Sequence, residues 1–181
     1  MTRTFSLIQP VEDDWELVRE LRLRMVLDTP IAFLETADQV REATEEEWRS
    51  RVTRSLAPGS TRYIAVAPDG RWVGCMSAFL SDGEPPYVVD PQPGPTRANL
   101  VGVFVDPVWR GDAGVADALL VSVSTWVREQ DLDRLYLHVG EANLRARRFY
   151  AKKGFQETGV VVAVPQQPGV GEVEMLLTLP G

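Results

Sequence analysis

The sequence predicts an α/β fold of the α+β kind: a single domain over residues 1–181 with helices on a mixed sheet. Three observations predict it. Apolar residues recur at every second position in some segments and at every third or fourth in others, and the two kinds are interleaved along the chain. Their order is a strand, two helices, a hairpin, then strand, helix, strand, helix and a closing pair of strands. The 181 residues, 44% of them hydrophobic and 25% charged, suit one domain with a substantial core, and neither a repeat nor a linker divides them.

The segment TFSLIQP alternates apolar and polar residues and ends at Pro10, so it reads as the first strand. Asp13 or Asp14 opens a helix whose stripe is Leu17, Leu21 and Met25 with Val18 beside it, and which stops before Pro30. Thr44 and Glu47 form a capping box for a second helix, on which Trp48, Val52 and Leu56 share a face. The stretch between, PIAFLETADQVREA, is ambiguous. TRYIAVA and RWVGCMSAFL, joined by PDG, read as a hairpin. The next segment, SDGEPPYVVDPQPGPTR, holds five of the 13 prolines and is too long for a turn. It is either a solvent excursion or a substrate-facing loop. ANLVGVFV is a strand whose nearly unbroken apolarity predicts burial on both faces. A helix follows from about Ala113 to Glu129, with Val115, Leu119, Val123 and Trp126 on one face. DRLYLHV is a strand, Asn143 to Lys153 a helix, and FQETGVVVAV and GEVEMLLTL a closing pair of strands.

Composition limits the function. The single cysteine, Cys75, excludes an internal disulfide and a cysteine-rich metal centre, and its apolar strand makes it an inert core thiol. No metal site is visible. A net charge of −7 argues against a nucleic-acid partner and is compatible with a cationic one. No apolar run is long enough to span a bilayer, and the N-terminus turns acidic too soon for a secretory signal. No membrane role and a cytoplasmic location are therefore expected.

Two segments carry chemistry. WRGDAGVADALL places a glycine-rich turn between a strand and a helix. Backbone N–H groups point outward at such a junction and the helix dipole adds partial positive charge, so it can cradle phosphate. Neither Gly-Lys-Ser/Thr nor GxGxxG is present, and a plain tight turn explains the same residues. In LHVGEANLRARRFYAKKGF, Asn143 is placed to cap a helix and Tyr150 lies two helical turns further on the same face. On packing grounds alone, Phe149 and Tyr150 are core residues.

Together these segments resemble the acyl-CoA-dependent N-acetyltransferases of the GNAT superfamily. The family's later signature, N-x-x-A-x-x-F/L-Y-x-x-x-G-F, is matched by Asn143, Ala146, Phe149, Tyr150, Gly154 and Phe155. Its central signature, R/Q-x-x-G-x-G/A, is matched at Gly114 and Ala116 but has Gly111 where arginine or glutamine is expected, with Arg110 one residue early. The order of the outer segments also fits, so the resemblance spans nearly the whole chain. It implies a mixed, mostly antiparallel central sheet with helices on both faces. It implies acetyl-CoA as co-substrate and an amine-bearing acceptor, either a small molecule or a peptide. Pantetheine would pair with the backbone of Val103, Phe104 and Val105, where an N–H polarises the thioester carbonyl. The pyrophosphate would lie on Arg110, Gly111, Asp112, Ala113, Gly114, Val115 and Ala116. A carboxylate repels pyrophosphate, so Asp112 is expected to face solvent or pair with an arginine. Arg147 or Arg148 would supply positive charge, or would be plain surface residues. Asn143 would hold the pantetheine arm, and Tyr150 would protonate the departing thiolate.

Relatives use a glutamate as base at positions that here hold Asn99 and His138. Asparagine is no base. Histidine is one near neutral pH, with an ordinary pKa of about 6.5. His138 is a candidate base, against a purely structural histidine and a water relay to a distant carboxylate, and Tyr136 shares its strand face. Glu45, Glu46 and Glu47 read as a charged helix start. Glu172 and Glu174 alternate on the last strand, most simply on a solvated edge. The closing strands would allow a homodimer. Two other readings share this scaffold: a CoA-binding regulatory domain without turnover, and a protein N-terminal or lysine acetyltransferase.

Overall fold

A computed structural model describes residues 4–111, 114–163 and 169–180. Its strands are β1 (Ser6–Ile8), β2 (Ser60–Val66), β3 (Trp72–Asp82), β4 (Thr96–Val105), β5 (Arg134–Gly140), β6 (Gln156–Ala163) and β7 (Gly171–Thr178). They pair in the order β1-β2-β3-β4-β5-β7-β6. The pairs β1/β2, β2/β3, β5/β7 and β6/β7 are antiparallel, while β4 and β5 run parallel, paired at Ala98↔Leu135 and Asn99↔Tyr136. The sheet is thus mixed and mostly antiparallel, as expected. The chain divides into two compact units, Met1–Phe79 with Val101–Trp126, and Leu80–Leu100 with Val127–Gly181.

In the first unit, the helices α1 (Trp15–Asp28), α2 (Ala37–Glu42) and α3 (Glu45–Ser55) supply the core with Val18, Leu21, Met25, Val26, Val40, Trp48 and Val52. Ile64, Trp72, Cys75 and Phe104 meet them from the strands. The stripe of α1 is narrower than the expected one: Val18, Leu21 and Met25 are buried, whereas Leu17 is exposed. The ambiguous segment forms a 3₁₀ turn, Pro30–Ala32, and α2, whose first turn Thr36 caps by accepting from Gln39 N at 3.2 Å. The capping box of α3 forms as read. Glu47 N donates to Thr44 Oγ1 at 3.3 Å, and Thr44 N donates to Glu47 Oε2 at 2.6 Å.

The strand β4 is less buried than its composition implies. Ala98, Asn99, Leu100 and Phe104 are buried, but Val101, Gly102 and Val103 are only partly so. Gly102 has φ +60° inside the strand, a conformation that interrupts the regular pleat. The helix α4 (Val115–Glu129) buries Val115, Leu119, Val123 and Val127, while Trp126 is half-buried. It sits directly on β3: a Cβ at Gly74 would lie 3.0 Å from Val115 Cγ1 and 3.1 Å from Phe104 O.

In the second unit, β7 is an interior strand between β5 and β6, and α5 (Leu144–Lys152) connects β5 to β6. The proline-rich segment is an ordered loop closed at its neck. Gly83 N donates to Pro95 O at 3.2 Å, Glu84 N to Gln92 O at 2.9 Å, and Thr96 Oγ1 to Asp82 Oδ1 at 2.7 Å. Val88 of this loop is buried.

Replacing Gly74 by valine forces a branched side chain into the seat of α4. The Gly74→Val protein is expected to lose about 1–3 kcal/mol of stability, read from its urea midpoint.

Candidate active site

The end of β4 in the first unit is fixed from several sides. Asp106 N donates to Val73 O at 2.8 Å, and Asp106 Oδ1 accepts from Val108 N at 3.2 Å. Asp106 Oδ2 accepts from Arg24 Nη1 at 3.1 Å, while Arg24 Nη2 donates to Trp72 O at 2.7 Å. A 3₁₀ turn, Pro107–Trp109, then leads to Gly111 at φ +78° and Gly114 at φ +72°. Both glycines adopt the left-handed conformation that side chains resist, and among the described residues a Cβ at either would meet nothing within 4 Å. The turn is open on that side. Immediately after Gly114 comes α4, whose first N–H groups have no partner within the helix. Asp112 and Ala113 lie outside the described residues. Arg110 is engaged within the unit: Nε donates to Val105 O at 2.8 Å and Nη2 to Asp28 Oδ2 at 2.5 Å.

In the second unit, Asn143 caps α5 by accepting from Ala146 N at 3.1 Å. Tyr150, on the same helix, packs edge-on against Phe149 and Phe155, with ring centres 5.2 and 5.6 Å apart. Burial pushes its hydroxyl pKa upward, so the group is held in its proton-bearing form. Arg147 is paired with Glu157 at 2.6 Å and with Glu141 O at 3.0 Å, so it reads as a structural surface residue.

The same unit builds a polar cluster around Glu174. The antiparallel register sets Glu174 directly opposite His138. Glu174 is only 4% exposed, and the His138 side chain only 1%. Arg97 Nη2 donates to Glu174 Oε2 at 2.5 Å, and Thr158 Oγ1 donates to Glu174 Oε1 at 2.8 Å. The Arg97 guanidinium stacks 3.8 Å from the centre of the Tyr136 ring. His138 Nε2 lies 3.6 Å from Glu174 Oε2, an electrostatic contact longer than a hydrogen bond. On its other side, His138 Nδ1 shares a 3.0 Å hydrogen bond with the Tyr87 hydroxyl. Tyr87 belongs to the proline-rich loop.

The charges in this cluster shift one another. Burial alone would raise the Glu174 carboxyl, but the contacts from His138, Arg97 and Thr158 outweigh it and hold the pKa at about 2. Burial raises Glu172, with His138 opposing. Burial, and then the Glu172 carboxylate, push Tyr87 upward. Asn99 is fully buried and donates to Ser81 Oγ at 2.9 Å, a structural use of its amide.

Sequence reasoning underrated Glu174 and missed Arg97, Tyr87 and Thr158. A solvated edge was the simpler expectation for Glu174, but β6 occupies the edge and β7 does not. The available signal was the period-two spacing of Glu172 and Glu174 in an otherwise apolar strand. It becomes informative only once that strand is paired with the one bearing His138.

Comparison with known proteins matches this architecture. The model of the acetyltransferase (GNAT) family matches residues 23–155. An aminoglycoside N(6')-acetyltransferase type 1 of Stenotrophomonas maltophilia is 32% identical over 120 residues, 65% of this chain and 75% of that protein. The solved structure of the PaiA N-acetyltransferase of Thermoplasma acidophilum, in complex with coenzyme A, is similar with a TM-score of 0.69 at 16% identity, over 97% of this chain and 99% of that one. That of yncA from Salmonella typhimurium, with its cofactor acetyl-CoA, gives a TM-score of 0.69 at 17% identity, over 98% and 95%.

The depressed Glu174 carboxyl makes an acid-stability prediction. Below the ordinary carboxylate value of 4.5 the unfolded chain takes up a proton that folded Glu174 refuses until about pH 2. Its stabilising contribution is therefore complete above pH 4.5 and is lost as pH falls toward 2. Glu174→Gln should cost roughly 1–3 kcal/mol at pH 7 and lack this part of the acid slope, read from urea midpoints between pH 6 and pH 3.

Proposed function

Because the chain belongs to the acetyltransferase (GNAT) family, an acyltransferase family, we propose that it transfers the acetyl group of acetyl-CoA to a primary amine by direct attack. The observation that carries this reading is the open glycine turn at the end of β4, continued by the N-terminus of α4. Backbone donors at this junction suit a pyrophosphate without any basic side chain, which matters because Arg110 is already engaged by Asp28 and Val105 O. The backbone of Val103, Phe104 and Val105 would hold the pantetheine, with Asn143 on its arm. Acetyl-CoA supplies an activated thioester.

The chain's own residues then manage charge and protons. An ammonium acceptor has no free electron pair and must first lose a proton. His138 is too enclosed to meet the acceptor directly, so the proton passes to the Tyr87 oxygen while the Tyr87 hydroxyl proton moves to His138 Nδ1. Arg97 and Thr158 keep Glu174 ionised beside His138, where it favours the charge that His138 gains. The free amine forms a C–N bond at the thioester carbonyl carbon, and a backbone N–H of β4 stabilises the oxyanion. As the C–S bond breaks, the sulfur takes the proton of Tyr150, and the second proton that the attacking nitrogen sheds restores the Tyr150 hydroxyl, so that amide and CoA thiol leave with one proton still held on His138.

A second reading, a domain that binds CoA without turnover, is favoured by Asn99 at a position where relatives carry a base and by the engaged Arg110. One experiment separates the two: release of free CoA thiol from acetyl-CoA, followed over a panel of aminoglycosides, amino acids and N-terminal peptides. Amine-dependent thiol release supports the transferase. Saturable CoA binding with no release from any class supports the second reading.

Tyr150→Phe should lower kcat by about 10²-fold or more while leaving CoA affinity nearly unchanged. Equal loss of both would remove the acid role. His138→Ala should abolish the acidic limb of the kcat/KM profile; a mutant profile that overlays the wild type would remove the base assignment.

A further inference from the structure

The first unit holds a group of arginines with too little negative charge to balance it. Arg22 of α1 and Arg51 of α3 share one carboxylate, Glu35. Arg22 Nε donates to Glu35 Oε2 at 2.9 Å, and Arg51 Nη1 donates to Glu35 Oε1 at 2.6 Å. Both guanidiniums are further fixed by stacking, Arg22 at 4.5 Å from the Phe33 ring centre and Arg51 at 4.3 Å from that of Trp48. Each oxygen of Glu35 is therefore occupied.

The third arginine, Arg62 of β2, has no such partner. It faces Ser77 across the β2/β3 register, and its Nε donates to Ser77 Oγ at 3.1 Å. Among the described residues no carboxylate pairs with it. Burial lowers its pKa, and Arg22 and Arg51, both of its own sign, lower it further. The remaining titratable group nearby is Cys75. Burial pushes that thiol up to about 11 in spite of the surrounding arginines, and Cys75 Sγ donates to Gly102 O at 3.1 Å. Cys75 is thus a neutral donor, not the missing anion. Three guanidiniums against one carboxylate leave two positive charges uncompensated. Such an imbalance suits an anion from outside the chain.

Its location says what that is. Ser77, the partner of Arg62, lies beside Gly102, whose built Cβ would stand 3.6 Å from Ser77 Oγ. Gly102 immediately precedes Val103, the first of the three β4 residues proposed to hold the pantetheine. Arg62 keeps part of its surface in solvent, so a ligand can reach it. We propose that Arg62, backed by Arg22 and Arg51, is an anion subsite for the acceptor, and that the natural amine substrate carries a carboxylate. This rests on the acetyl-transfer reading. It points away from a purely polycationic acceptor, whatever the net charge of −7 and the aminoglycoside relative suggest.

The test has two arms on the full chain. In the first, malonate is the probe and the melting temperature is the readout. Malonate should stabilise the wild type in a saturable way and Arg62→Met much less, while Arg62→Met without ligand should melt no lower than the wild type, since it removes an uncompensated charge. An Arg62→Met protein that melts well below the wild type, or an equal malonate response in both, overturns the subsite. In the second arm, thiol release is measured with α-amino acids and with their amides. The wild type should prefer the free acid, and Arg62→Met should reduce that preference by about tenfold or more. An unchanged preference, or an effect that falls on the KM for acetyl-CoA instead, overturns it. If malonate binds through Arg62 but no amine is acetylated, the subsite stands and the transfer reading fails. If amines are acetylated without regard to the carboxylate, the reverse holds.

Discussion

The bonds around Asp106 fix the point from which the turn after β4 and the helix α4 are launched. A strand that ends without support frays, and a helix that starts from a frayed strand presents its N-terminus in no fixed direction. Here the backbone N–H of Asp106 is bound to β3, its carboxylate is shared between the following 3₁₀ turn and Arg24, and Arg24 is tied to Trp72 O. The close approach of α4 to Gly74 then sets the helix against the same strand. Gly111 and Gly114 take the left-handed conformation between strand and helix. Arg110 adds to these constraints by bridging Val105 O and Asp28.

The second unit solves a different problem, a carboxylate inside a sheet. Burying Glu174 is tolerable because each of its oxygens has a donor and because Arg97 brings a full positive charge, itself stacked on Tyr136. His138 is enclosed between the carboxylate and the Tyr87 hydroxyl, so the proline-rich loop is tied to the strand that carries His138.

Much of this was legible in the sequence. The strand and helix periods gave the order of elements, the Thr44 and Glu47 capping box was visible at its spacing, and Asn143 caps its helix as its position implied. Gly111 and Gly114 announced the turn. What stayed hidden depends on pairing between distant segments. Whether Glu174 meets solvent or His138 is decided by β6 covering the edge of β7, and nothing within GEVEMLLTL states that. Arg62 reads as one polar residue of a hairpin until Arg22, Arg51 and Glu35 are brought beside it. Local errors had local causes: Leu17 stands at the margin of the helix face that Val18, Leu21 and Met25 bury, and spacing alone did not exclude it. The apolar run through β4 concealed Gly102, whose positive φ opens the strand where burial was expected.

The central claim is that the turn after β4 holds the pyrophosphate of acetyl-CoA through backbone donors. Calorimetric titration of the purified protein with acetyl-CoA and, in parallel, with S-acetylpantetheine tests it most directly, because the second ligand lacks the pyrophosphate and keeps the thioester arm. Saturable binding of acetyl-CoA, with S-acetylpantetheine markedly weaker, is the result this structure predicts. Equal affinity for the two ligands, or no binding of acetyl-CoA, would contradict it.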